Sequence, residues 1–204
     1  LVNAAGEAAL VDAPEAAPIN AALAARDLTL TTILLTHHHW DHVEGLDGLN
    51  TALAPRVIGA KADAHRLPPL TDPVSDGDTI DVCGAKTNVL DVSGHTIGDL
   101  AFHMPDVGLA FTADSLMAMG CGRLFEGTHA QMWDSMQKLR TLPPETVICS
   151  GHEYTLTNAR FAATLEPDNE QVTSRLAQVQ SARDDGLRTV PSRLSDELAT
   201  NPYL

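Results

Sequence analysis

Cysteines, basic residues and long apolar runs are all scarce in this sequence of 204 residues. The three cysteines form no CxxC pair, which argues against a disulfide scaffold and for a reducing compartment. Lysine and arginine number 13 against 27 acidic residues, a balance that disfavours binding to a phosphate backbone. No apolar run approaches the roughly 20 residues that span a bilayer, and no signal-peptide pattern is visible. We therefore expect a cytoplasmic protein with neither a nucleic acid nor a membrane as partner.

The first third of the chain alternates between strand and helix patterns. Residues 8–13 and 31–36 have strand character and flank the Ala/Leu-rich helical pattern of residues 18–28, which indicates a β-α-β unit. Helical spacing of apolar residues then predicts a helix over 43–54, and a short strand follows at 56–60.

The sequence pattern changes after residue 77, and short strands separated by turns are predicted over residues 78–113. Thr128 opens a helix with a capping box, in which Gln131 reaches back to the helix start. A strand over 146–150 is followed by a mostly helical tail that breaks at Pro167. Strands mixed with helices, then strands, then helices predict an α/β fold in which sheets are covered by helices.

Four of the nine histidines lie in the stretch THHHWDH, residues 36–42. In an extended segment alternate side chains share a face, so His37, His39 and Asp41 are predicted to point the same way. His42 begins the next helix and approaches from a second direction. Two imidazoles then serve one metal ion, while Asp41 and His42 serve a second ion close by. Imidazole and carboxylate ligands suit zinc, iron or manganese; the alternative is a polar loop without ligands.

Three later strand ends carry further candidate ligands. His95 follows the strand KTNVLDV, Asp114 ends the strand LAFTA, and His152 follows the strand VICS. Each alone has an ordinary explanation as a turn residue or helix cap. Together they repeat one arrangement, so we expect them to converge at one edge of the sheets. His38 is either an outer hydrogen-bonding neighbour of the ligands or an exposed residue.

The motifs THHHWDH, SGHT, FTADSL and SGHEY resemble, in this order, those of the metallo-β-lactamase superfamily. Two longer stretches, GCGRLFEGT (120–128) and GHEYTLTNARFAATLEPDNEQV (151–172), are similar to glyoxalase II, the hydroxyacylglutathione hydrolases. The resemblance implies an αβ/βα sandwich of two mixed β-sheets flanked by helices, with a helical C-terminal region. It also implies a catalytic domain over residues 1–152 and a substrate-binding region over residues 153–204, which is expected to be incomplete.

The same resemblance implies two divalent metal ions per chain, zinc in the first place and iron or manganese as alternatives. The implied ligands of the first metal are His37, His39 and His95. Those of the second metal are Asp41, His42 and His152, and Asp114 is implied to bridge the two metals. Asp41 and Asp114 are the implied catalytic residues. The implied reaction is hydrolysis of S-D-lactoylglutathione to D-lactate and glutathione by a hydroxide that bridges the metals. No serine or cysteine nucleophile is required.

The resemblance also implies that Arg123, Phe125 and Tyr154 contact the glutathione moiety. Phe125 stands where many members carry a tyrosine, so the ring is kept and the hydroxyl is lost. Asp99 replaces the second histidine of a GHTxGH pattern, a departure outside the ligand set. The first strand of the family is not seen before Leu1, and the basic residues that help members grip glutathione are not seen before the chain stops at NPYL.

Two other classes of function are compatible with these residues. The first is a different enzyme on the same scaffold: a lactonase, another thioesterase or a mononuclear-iron persulfide dioxygenase. The second is a metal-binding or interaction module without catalysis, although a structural zinc site usually closes with four ligands rather than seven. We expect a monomer that binds a small glutathione thioester.

Overall fold

The computed structural model describes residues 1–51 and 53–204, which divide into two compact units. The first unit contains residues 1–91 and 98–107, and the second contains residues 92–97 and 108–204. Within the described ranges, no helix is both long enough and apolar enough to cross a membrane.

The first unit contains seven strands and two α-helices within its described residues. In chain order these are β1 (Glu7–Val11), α1 (Ala16–Ala25), β2 (Thr29–Leu34), α2 (Trp40–Val43), β3 (Arg56–Ala60), β4 (Asp72–Val74), β5 (Thr79–Val82), β6 (Ala85–Asp91) and β7 (Leu100–Met104). Short 3₁₀ helices cover Leu46–Gly48 and Lys61–Asp63.

Strands β1 to β4 form a parallel sheet in chain order, and β5, β6 and β7 are antiparallel neighbours. The last residues of β1 and β2, Val11 and Leu34, are partners in the ladder. Because parallel strands end at the same edge of a sheet, the residues that follow β1 and β2 lie side by side. Apolar side chains of the inner strands, such as Ile33 and Ile58, are fully buried.

The predicted helix over 43–54 is wrong. Helix α2 ends at Val43, the 3₁₀ turn covers only Leu46–Gly48, and residues 49–51 are not helical, while residue 52 lies outside the described residues. The physical reason is a backbone contact with a distant segment: the amide of Gly45 donates to the carbonyl of Ala13 at 2.7 Å. A Cβ at Gly45 would lie 2.8 Å from that carbonyl, so only glycine permits this approach.

The second unit contains five strands and four α-helices within its described residues. In chain order these are β8 (Leu109–Ala113), β9 (Leu116–Met117), β10 (Gly120–Cys121), α3 (His129–Leu139), β11 (Val147–Ser150), α4 (Thr155–Leu165), α5 (Glu170–Asp184), β12 (Ser192–Arg193) and α6 (Leu194–Thr200).

Strands β8 and β11 are parallel, β12 is antiparallel to β11, and β9 and β10 pair as a short hairpin. Ala113 and Ser150, the last residues of β8 and β11, are ladder partners, and the amide of Gly151 donates to the carbonyl of Ala113 at 2.9 Å. The residues that follow the two strands therefore start from one edge of the sheet.

The helices of the second unit follow the sequence prediction. Thr128 caps α3 through the amide of Gln131, and the Gln131 side chain accepts from the amide of Thr128, which completes the predicted capping box. The tail breaks between α4 and α5, and both helices contribute to a cluster formed by Met119, Ala159, Ala162 and Val172. This packing confirms the predicted helical C-terminal region.

Candidate metal centre

The first unit places His37 and His39 in an extended segment directly after β2. Nε2 of His37 lies 3.1 Å from Nδ1 of His39. Two nitrogen ligands about 2.05 Å from a tetrahedral metal are about 3.3 Å apart, so the two rings are arranged as a pair of ligands would be. The parity argument therefore holds for these two histidines, while the side chain of Trp40 is 71% exposed.

Asp41 and His42 lie inside α2, not in the extended segment. The prediction that Asp41 shares a face with His37 and His39 by strand alternation is therefore wrong in its reason, because the backbone becomes helical at Trp40. His42 is buried, and its ring lies 4.2 Å from that of His37, measured between centroids. The directions of the Asp41 and His42 side chains are therefore set by the helical turn and not by strand alternation.

Asp12, which sequence reasoning missed, orients two of these histidines. Its carboxylate accepts hydrogen bonds from the amide of Thr36 at 2.9 Å, from the Thr36 hydroxyl at 2.8 Å and from Nδ1 of His42 at 2.6 Å. Because a carboxylate only accepts, His42 carries its proton on Nδ1 and keeps the lone pair of Nε2 for a metal ion. The usable signal was a polar residue directly after a strand, in VDAP.

Thr36 fixes the tautomer of His37 in a similar way. Its hydroxyl gives its proton to Asp12 and lies 3.0 Å from Nδ1 of His37, so that nitrogen is the donor. Nε2 of His37 is then the unprotonated nitrogen, and this is the atom that faces His39. Asp99, the departure from the GHTxGH pattern, lies 4.0 Å from Nδ1 of His37 and is buried.

His38 contacts both His39 and Asp63: its ring meets that of His39 edge to face at 5.0 Å between centroids, and it is hydrogen-bonded to Asp63. Nδ1 of His38 is 3.0 Å from the Asp63 carboxylate, whose other oxygen accepts from Nε of Arg66 at 2.5 Å. Because Asp63 is not one of the predicted ligands, the choice between the two alternatives predicted for His38 stays a prediction. Sequence reasoning gave Asp63 no role, because a contact across 25 residues has no local signal.

The second unit brings together His95, Asp114 and His152. One carboxylate oxygen of Asp114 lies 3.5 Å from Nε2 of His95 and 3.2 Å from Nε2 of His152. Nδ1 of His95 donates to the backbone carbonyl of Arg123 at 2.6 Å, so its Nε2 keeps the lone pair. A carboxylate oxygen between two histidine nitrogens suits a group shared by two neighbouring metal sites.

Residues 122–128, which follow β10, form a loop that is hydrogen-bonded to the turn carrying His95. The amides of Phe125 and Glu126 donate to the carbonyl of His95, at 3.0 and 3.3 Å, and the amide of Gly127 donates to the carbonyl of Gly94 at 3.2 Å. The backbone of this loop therefore fixes His95 on one side, while the side chains of Arg123, Phe125 and Glu126 remain exposed.

Glycine is required at position 122 of the same loop. A Cβ there would lie 1.7 Å from the backbone oxygen of Asp114, and the amide of Gly122 donates to the carbonyl of Ser115 at 3.0 Å. The loop thus runs directly against the residue that lies between His95 and His152.

The predicted substrate residues lie beside these ligands in the second unit. The guanidinium of Arg123 is 5.1 Å from the ring centroid of Phe125, and the Phe125 ring meets that of His95 edge to face at 5.3 Å. Tyr154 stacks on His152 with an interplanar angle of 8°. Phe125 and Tyr154 are each more than half exposed, so part of each ring is accessible to a ligand.

The polar side chains described in the first and the second unit have the chemistry of metal ligands. His37, His42 and His95 each direct a donor nitrogen to a fixed oxygen partner and so present the other nitrogen for coordination. Asp114 supplies a carboxylate within reach of two more imidazole nitrogens. A hydrophobic substrate pocket would not require this arrangement of buried polar side chains.

Comparison with protein families gives two matches that together cover the chain. Residues 1–152 match the metallo-beta-lactamase superfamily, and residues 153–204 match the C-terminus of hydroxyacylglutathione hydrolase. The superfamily match and the histidine and aspartate clusters support a dinuclear metal site.

Individual proteins agree with the family matches. The chain is 60% identical over 200 residues to a hydroxyacylglutathione hydrolase of Ruegeria pomeroyi and 58% identical over 199 residues to one of Jannaschia sp., covering 98% of this chain and 78% of each relative. The structure is similar to that of TTHA1623 in a di-iron-bound form, with a TM-score of 0.69, 24% identity, and coverage of 95% of this chain and 88% of the other. The predicted metallo-β-lactamase fold is confirmed.

Proposed function

The chain belongs to the hydroxyacylglutathione hydrolases, or glyoxalase II enzymes, of the metallo-β-lactamase superfamily, and we propose that it hydrolyses S-D-lactoylglutathione to D-lactate and glutathione. The observation that carries the proposal is the arrangement around Asp114: one carboxylate oxygen lies between two histidine nitrogens, beside the exposed Arg123, Phe125 and Tyr154. A metal-ligand set and a surface suited to an organic anion thus adjoin each other in one unit.

The proposed metal ligands are those that the sequence predicts. His37, His39 and His95 hold one divalent ion, Asp41, His42 and His152 hold the second, and Asp114 joins the two. When bound, the two ions activate a water molecule for attack on the thioester carbonyl and stabilise the negative charge that develops on its oxygen. Zinc is the metal we propose first, and iron and manganese suit the same ligands.

The protein's own contribution is to fix its donor atoms before the substrate arrives. Asp12 holds the proton of His42 on Nδ1, Thr36 does so for His37, and the Arg123 carbonyl does so for His95. Each imidazole then presents its Nε2 lone pair without a change of tautomer. Burial of His37, His42 and His95 also keeps water from competing for these atoms.

Arg123, Phe125 and Tyr154 are proposed to bind the glutathione part of the substrate. A guanidinium forms paired hydrogen bonds with a carboxylate, and glutathione carries two carboxylates. Phe125 holds Arg123 through a cation–π contact and offers no hydroxyl group, so it contributes ring surface and no hydrogen bond. Tyr154 stacks on His152, which links substrate binding to one of the proposed ligands.

We also propose separate roles for the two parts of the chain. Residues 1–152 carry all seven proposed ligands and form the catalytic domain, whereas residues 153–204 contribute Tyr154 and form the substrate-binding region. We further propose that the protein acts as a monomer in the cytoplasm. The small number of cysteines and the 27 acidic residues support these two assignments.

The proposal is tested by giving the purified protein S-D-lactoylglutathione while its metal content is measured. Loss of the thioester absorbance, abolished by a chelator and restored by zinc, is the expected result. A protein that holds two metals and leaves this thioester intact would contradict the substrate assignment, and ester or lactone substrates would then be compared. One iron per chain with oxygen consumption on glutathione persulfide would instead identify a dioxygenase.

A further inference from the structure

Glu153 lies between two residues of the proposed site, His152 and Tyr154, but its own side chain points elsewhere. Its carboxylate accepts a hydrogen bond from the amide of Thr189 at 2.8 Å and a second, very short one from the Thr189 hydroxyl. The contact spans 36 residues, from the end of β11 to the segment that follows α5. A carboxylate bound by two donors of one residue is held in a single orientation.

Arg183, in the last turn of α5, strengthens this contact. Its guanidinium donates to the carbonyl of Leu187 at 2.8 Å and lies 3.7 Å from the carboxylate of Glu153. The carboxylate of Glu153 is therefore contacted from two sides, by Thr189 and by Arg183.

The segment that carries Thr189 is itself fixed to α5. Gly186 adopts a φ of +71°, which only glycine takes readily, and the amide of Leu187 donates to the carbonyl of Ala182 at 2.8 Å. The C-terminal end of α5 is thus capped, and the residues that follow it start from a defined position. Thr189 is a fixed anchor for Glu153.

The two neighbours of Glu153 in this turn contact each other. His152 contacts Asp114 and stacks on Tyr154, and Tyr154 precedes the first residue of α4. Tyr154 is 52% exposed, so packing alone does not fix its ring. The orientation of the stacked pair depends on the backbone between them, which is the backbone of Glu153.

We propose that Glu153 and Thr189 are positioning residues that orient His152 and Tyr154, so that the segment after α5 controls the affinity of the second metal ion. This inference rests on the proposed function, because His152 is a ligand only in that assignment. It goes further by giving residues 187–190 a role at a site from which they are distant in sequence. Residues that orient a metal ligand typically change metal affinity by 10- to 100-fold when they are replaced.

The experiment measures zinc binding to the purified chelator-treated protein by titration against a competing indicator. Thr189→Val keeps the size of the side chain and the amide donor but removes the hydroxyl. We expect it to weaken the second zinc equivalent about 10-fold or more and to leave the first unchanged. Glu153→Gln keeps an acceptor and loses the charge, so a smaller weakening is expected.

Two control variants separate positioning from a general effect on folding. Thr189→Ser retains the hydroxyl and should restore wild-type affinity. Thr173→Val removes an exposed hydroxyl bonded only to carbonyls of its own helix end, and should behave as wild type. Far-UV circular dichroism and the melting temperature are measured for each protein, because a purely structural contact would lower the melting temperature without a selective loss of one equivalent.

Zinc titrations of Thr189→Val and wild type that superimpose would overturn the inference, as would a wild type that binds a single equivalent. Zinc binding does not require turnover, so the two proposals can fail separately. A wild type that leaves S-D-lactoylglutathione intact contradicts the proposed substrate only. A selective loss of the second equivalent in Thr189→Val still supports the positioning role in that case.

Discussion

Asp12 and His42 are separated by 30 residues in sequence, and a carboxylate oxygen of the first lies 2.6 Å from Nδ1 of the second. The contact exists because β1 and β2 are parallel and end together, which places Asp12 beside Thr36 and the segment that leads to His42. One carboxylate thereby sets the tautomer of His42 directly and that of His37 through Thr36. The predicted ligand set depends on a residue outside it.

Asp12→Asn is expected to lower zinc affinity by about 10- to 100-fold, because the amide cannot accept from all three donors that Asp12 now accepts from. The φ of Asp12 is +57°, a conformation that asparagine also tolerates, so the backbone should be unchanged. Zinc affinity is measured by competition with a chelator. Asp27→Asn, at an exposed position with a φ of +52°, is the matched control. Equal affinity in both variants would contradict the prediction.

Asp114→Ala is expected to abolish hydrolysis and to reduce bound metal, because it removes the carboxylate between His95 and His152. Activity on S-D-lactoylglutathione and metal per chain are measured on the same preparation. Asp106→Ala, which removes an exposed turn carboxylate, should retain both. Near-normal activity and metal content in Asp114→Ala would rule out the bridging role.

Gly122→Ala is expected to reduce activity and stability together. The added Cβ would lie 1.7 Å from the backbone oxygen of Asp114, so the loop or the ligand must move, at a cost of about 1–3 kcal/mol in the free energy of unfolding. Gly84→Ala, where a Cβ meets open space although the φ of +84° is strained for alanine, is the comparison without a steric clash. Denaturant unfolding and turnover are compared; a Gly122→Ala protein as active as Gly84→Ala would show that the loop adapts freely.

His103 gives the protein a pH-dependent stability. Burial lowers the pKa of this histidine, so the folded state favours the neutral ring, while the unfolded chain binds a proton near pH 6.5. Its stabilising contribution is complete above pH 6.5 and is lost as the pH falls through the folded-state pKa. The melting temperature of the wild type should therefore fall more steeply from pH 8 to pH 5.5 than that of His103→Leu. Parallel curves would refute this assignment, since acid loss of metal affects both proteins alike.

Local sequence signals predicted much of this molecule and failed at identifiable places. The capping box of Thr128 and the break at Pro167 act within a few residues, and both appear as predicted. The helix over 43–54 failed because Gly45 bonds to Ala13, a partner that no local pattern reveals. The roles of Asp12 and Asp63 were missed for the same reason.

The candidate metal ligands were easier to predict than the groups that orient them through hydrogen bonds. His95, Asp114 and His152 each follow an apolar strand, and the parallel pairing of β8 and β11 gives two of those strand ends a common edge. The orientation of a ligand depends on hydrogen bonds to backbone atoms, such as the Arg123 carbonyl beside His95, and side-chain identity does not encode these. The assignment of each ligand to one metal stays a prediction.

The loop of residues 122–128 has a consequence for protein engineering. Its side chains at positions 123 and 125 are the ones proposed to bind the substrate, whereas its backbone supports His95 and Gly94 through the amides of residues 125–127 and through the carbonyl of Arg123. Side-chain replacements at positions 123 and 125 leave those backbone groups in place. Insertions, deletions or proline at positions 125–127 would disturb His95, a proposed metal ligand, so libraries for new specificity should vary side chains and keep the loop length.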